Sequence, residues 1–82
     1  MGLNEAVAKF IRAEAQRAYA QGHTIFAGVL TPNAKAHPSG SVGGWAEQIE
    51  AVEAEGWTLY HWTVAPSNDG KGQQAYPIFR RR

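Results

Sequence analysis

The segment Glu55-Gly56-Trp57-Thr58-Leu59-Tyr60-His61-Trp62-Thr63-Val64 constrains this chain more than any other. A glutamate-rich helical stretch, Trp45 to about Glu55, runs into Gly56, a residue suited to the left-handed conformation that closes a helix. The β-branched and aromatic residues after it read as a strand. The chain must therefore turn from helix to strand within a residue or two of Gly56. Strict alternation then puts Trp57, Leu59, His61, Thr63 and Ala65 on one face and Thr58, Tyr60, Trp62 and Val64 on the other. Both faces carry large side chains, and two short helices do not cover both cheaply. With Trp57 and Leu59 sealing the helix side, Tyr60, Trp62 and Val64 are expected on an open side, extended by Phe26 and by Tyr76 or Phe79. The competing arrangement sets one helix on each face and turns every ring into core.

The other elements follow from periodicity and punctuation. Asn4 to Ala20 reads as a helix with Asn4 as its N-cap, its apolar stripe formed by Leu3, Val7, Ile11, Ala15 and Ala18. Gly22 closes it, and His23 to Leu30 reads as a first strand. Thr31 to Gly44 holds Pro32, Pro38, Gly40, Gly43 and Gly44 and is expected to be a flexible loop. After the second helix and the Trp57 to Ala65 strand, Asn68-Asp69-Gly70 predicts a turn and Gln73 to Phe79 a third strand, antiparallel to the second. Pro77 cannot donate to a ladder, so this strand belongs at an edge or holds its proline at an unpaired position, which makes the second strand the expected centre. The order helix-strand-helix-strand-strand describes one two-layer α+β domain over residues 1–82, with a small antiparallel three-stranded sheet and both helices on one face.

Eighty-two residues without cysteine can draw on neither disulfides nor a thiolate metal site to strengthen a small core. Self-association through the aromatic sheet face or an exposed strand edge is the remedy left, with a homodimer favoured and a protein partner the other option. No basic leader precedes an apolar run and no stretch approaches the ~20 apolar residues of a membrane span, so a cytoplasmic setting without membrane insertion is expected. A formal net charge of +1 disfavours a broad polyanion-binding surface. Arg80, Arg81 and Arg82 depart from that balance, and read as a short basic tail they are the candidate phosphate contacts of a nucleic-acid-binding module using exposed sheet aromatics. A third reading has Tyr60 and Trp62 stack a planar small molecule or nucleotide between subunits.

Chemistry is harder to find. His23, His37 and His61 lack metal-ligand spacing, and His61 has no identifiable nucleophile or carboxylate beside it. Ser39-Gly40-Ser41-Val42-Gly43-Gly44 precedes a helix but lacks the lysine of a phosphate loop and the glycine spacing of a dinucleotide site. Glu47, Glu50, Glu53 and Glu55 describe a solvated helix face. The expectation is a non-enzymatic protein with no catalytic residues, cofactor or metal.

The passage from the second helix through Glu55-Gly56-Trp57-Thr58-Leu59 resembles small uncharacterised bacterial and phage proteins in which a helix ends in Glu-Gly-Trp and a hairpin follows. Tyr76-Pro77-Ile78-Phe79-Arg80 is similar to the endings of short actinobacterial and actinophage proteins. The resemblance covers about residues 45 to 80. It implies a small α+β domain from a bacterial, phage or mobile-element source and supplies no activity to carry over; codon-level GC richness in Ala, Gly, Pro and Arg fits that source.

Overall fold

A computed structural model describes residues 3–33, 43–66 and 72–82. Its elements are α1 (Leu3–Ala20), β1 (Ile25–Ala27), β2 (Leu30–Asn33), α2 (Gly43–Glu53), β3 (Trp57–Pro66) and β4 (Gln73–Arg81). β1 and β2 pair with one side of β4 and β3 with the other, all antiparallel. Ala27 pairs with Ile78 and Leu30 with Ala75 in one unbroken register, so β1 and β2 share a single strand position and the sheet is three strands wide. This is the α+β order read from the sequence. Ile11 and Ala15 of α1 and Trp45 and Val52 of α2 join Leu30, Trp57, Ala75 and Phe79 in one core, which sets both helices on the same sheet face.

The centre of the sheet is β4, not the Trp57 strand expected there. In a strand, the N–H and C=O of one residue point toward the same neighbour. The Pro77 carbonyl accepts from the Gly28 amide at 3.1 Å, so the donor that Pro77 lacks would also have faced Gly28. The ladder loses that one bond where β1 gives way to β2, while Tyr76 and Ile78 face β3. A buried proline is thereby accommodated in a central strand. Further boundaries move. Thr31 to Asn33, expected in the loop, continue β2, and Arg80 and Arg81, expected as tail, are the end of β4. Gly43 and Gly44, also expected in the loop, open α2, while residues 34–42 of that loop and the Asn68-Asp69-Gly70 turn lie outside the described residues.

A β-bulge reverses the predicted facing of the second half of β3. Leu59 pairs with Phe79 and His61 with Ile78, leaving Tyr60 as an extra residue. Each pair shares a sheet face, so Trp57, Leu59, Trp62 and Val64 align with the helix-side residues Arg81, Phe79, Pro77 and Ala75. Thr58, His61, Thr63 and Ala65 align with Arg80, Ile78, Tyr76 and Gln74 on the other side. Trp62 accordingly meets Trp45 of α2 edge-on, ring centroids 5.6 Å apart. The bulged Tyr60 turns to the open side, where the Arg80 guanidinium lies 5.1 Å from its ring centre.

Trp57 anchors the core. It is fully buried, its indole N–H donates to the Ala15 carbonyl at 3.1 Å, and Tyr19 packs edge-on against it. Both helices end on left-handed glycines, Gly22 at φ 83° and Gly56 at φ 98°. At the first, the Gly22 amide donates to Tyr19 and the His23 amide to Ala18, the paired bonds that satisfy the last carbonyls of a helix. No helix among the described residues is long and apolar enough to cross a membrane.

Candidate functional site

The face of the sheet away from the helices is the surface that the core leaves uncovered. Ile25, Val29, Tyr60, Tyr76 and Ile78, drawn from every strand position, are between 37% and 65% exposed there. Their placement follows from the registers. Ile25 shares its face with Arg80, Val29 falls opposite Tyr76, and the bulge adds Tyr60. Thr58, His61, Thr63 and Gln74 complete the surface. Arg80 is its single formal charge among the described residues, for every described glutamate lies on a helix or in the turn after α2.

This arrangement divides the six candidate interface residues. Tyr60 and Tyr76 lie on the open face. Phe79 is fully buried and Phe26 is half-buried against it and Trp57, their rings about 6 Å away, so both belong to the core side. Trp62 and Val64, 40% and 43% exposed, are on the helix side at the outer edge of β3. Trp62 and Tyr60 therefore cannot stack on one planar ligand within a single chain. Ile25, Val29 and Ile78 were missed, although alternation through His23 to Leu30 and Gln73 to Phe79 already sets them opposite Phe26, Leu30 and Phe79.

The three terminal arginines have separate partners. Arg81 donates to the carbonyls of Tyr19 at 2.7 Å and His23 at 2.9 Å, with its guanidinium 3.7 Å from the Tyr19 ring centre. Arg82 donates to the Glu53 carbonyl at 2.7 Å. Each thus places a cation at the negative end of a helix dipole, Arg81 on α1 and Arg82 on α2, as a second donor to a carbonyl that already accepts the Gly22 or Gly56 amide. The expected basic tail is a pair of helix caps plus Arg80.

Other features offer less. A cleft of about 570 Å³ between α1 and the β1–β2 edge is lined mainly by apolar groups, including Val7, Phe10, Ile11, Phe26 and Leu30. Its polar groups serve the chain itself: Glu14 accepts from Arg17, and Gln48 donates to the Gly44 carbonyl. Among the described residues, no group of three histidine or carboxylate side chains could hold a metal ion. Glu55 accepts from Arg12 across the helix pair, and that hydrogen bond, with a second to Gln16, holds its carboxyl below the ordinary value. No family model, curated protein or solved structure matches the chain.

Proposed function

We propose that this is a non-enzymatic, self-associating protein and that a second copy covers its open sheet face. The observation that carries the reading is the convergence of Ile25, Val29, Tyr60, Tyr76 and Ile78 on the side of the sheet opposite both described helices. Burying ~500 Å² of apolar surface would contribute on the order of 12 kcal/mol before association and ordering costs are subtracted. Two such faces meet with little opposition, since among the described residues each brings one arginine and no carboxylate. The face contact taken alone gives a homodimer, because a face that contacts itself makes a closed two-fold interface.

The nucleic-acid reading draws less support. Counterion release requires several cations along a backbone, and two of the three terminal arginines are hydrogen-bonded to helix carbonyls. Light scattering across a concentration series tests self-association. The natural chain should exceed one copy at high micromolar concentration, and Tyr60→Ser with Ile78→Ser should lose the face contact while Trp57 fluorescence stays native-like. A natural chain that remains monomeric sinks the proposal.

A further inference from the structure

The outer edge of β3 is a second place where the chain is incomplete. Odd-numbered residues of β4 turn their backbone groups toward β1, as shown by the Gly28 bond to Pro77 and by the Arg81 amide, which donates to Thr24 at 3.0 Å. Even-numbered residues therefore serve β3. Thr63 lies opposite Tyr76, so its N–H and C=O face β4, and those of Trp62 and Val64 point outward. The same rule turns the Leu59 amide outward, and there the Glu53 carboxylate accepts it at 3.3 Å. The first half of this edge is thus blocked by Glu53 and by the Tyr60 bulge. The second half has neither device.

Edges are ordinarily protected by charged side chains, and β3, from Trp57 to Pro66, contains no Asp, Glu, Lys or Arg. We propose that the β3 edge pairs antiparallel with the β3 edge of another copy, about a two-fold axis through Thr63. The pattern is self-complementary. Trp62 meets Val64 of the second copy and Val64 meets its Trp62, both as hydrogen-bonded pairs that use the outward groups. On the helix side this sets an aromatic ring beside a β-branched side chain twice, and on the open side it brings Thr63 against Thr63; both are favourable cross-strand combinations. Pro66, which cannot donate, ends the pairing.

The inference rests on self-association but not on the open face, and the two surfaces are separable. With both in use the natural chain assembles into four or more copies. Val64→Pro removes only an outward donor, so it should leave the fold intact and lower the mass to two copies; Tyr60→Ser with Ile78→Ser should also leave two, held by the edge. Combining all three substitutions should give one. A folded Val64→Pro chain of unchanged mass overturns the edge contact. Should that variant fail to fold, hydrogen exchange on the natural chain decides: the Trp62 and Val64 amides should slow as concentration rises, and unprotected amides in a multimeric sample overturn the proposal. An open-face variant of unchanged mass beside a dissociating Val64→Pro would instead remove the face and leave the edge.

Discussion

Gly56 carries two constraints at one residue. Its φ of 98° is left-handed, and a Cβ there would lie 2.6 Å from the Tyr19 ring, whereas a Cβ at the left-handed Gly22 would meet nothing within 4 Å. Gly22→Ala should therefore cost only the conformational penalty of about 1–2 kcal/mol, and Gly56→Ala that penalty plus displacement of Tyr19 from Trp57, about 2–4 kcal/mol in all. Urea unfolding of the two variants measures the difference; equal losses would mean that the Tyr19 ring moves aside freely. Glu55, next to it, sets a pH dependence. Its carboxyl is more acidic in the folded chain than in the unfolded one, because Arg12 and Gln16 hydrogen-bond the ionised form. The stability it adds is present above the unfolded pKa of about 4.3 and is lost as pH falls through the lower folded value. The stability gap between the natural chain and Glu55→Leu should accordingly stay level above about pH 5.5 and narrow on acidification.

Among the elements, β4 ties the molecule together, and its terminal arginines act on the helices. Deleting Arg81 and Arg82 should lower stability by about 1–3 kcal/mol, because it removes a charged hydrogen bond from the C-terminal carbonyls of α1 and α2 at once. For a domain of this size, each kcal/mol corresponds to roughly 4–8 °C in melting temperature. Arg80→Ala should leave the melting temperature nearly unchanged, since Arg80 contacts the exposed Tyr60 ring and not a helix end. A tail with no structural role would show no difference between the two. Deletion is consequently a poor probe of nucleic-acid contact, because any loss of binding would be mixed with loss of fold.

For the whole molecule, the proposed self-association predicts a link between stability and concentration. If copies associate only when folded, the melting temperature should rise with protein concentration. The Tyr60→Ser, Ile78→Ser, Val64→Pro chain should melt at one temperature throughout the series. A natural chain whose melting temperature is equally flat would argue that its core is sufficient alone. That core is small: among the described residues it holds Pro77 and eight further buried apolar side chains from two helices and three strand positions, with one sheet face outside it.

What the sequence determined by itself was local. Periodicity marked α1, Gly22 and Gly56 marked the helix ends, and β-branched and aromatic runs marked the strands, because each signal depends on neighbours a few residues away. Trp57 as a core anchor was legible for the same reason, since it follows the closing glycine directly. The tertiary structure decided the rest. The extra residue at Tyr60 arises only when β3 is laid against β4, and that single step moved Trp62 and Val64 to the helix side. Pro77 argued locally for an edge, yet the cost of a proline depends on which neighbour faces its missing donor, and here it falls where β1 passes into β2. Arg81 and Arg82 read as a charged tail because their partners, Tyr19, His23 and Glu53, stand between 29 and 62 residues away along the chain. Pairing of distant segments chooses which side chains become core, cap or surface, and no alternation within one strand encodes that choice.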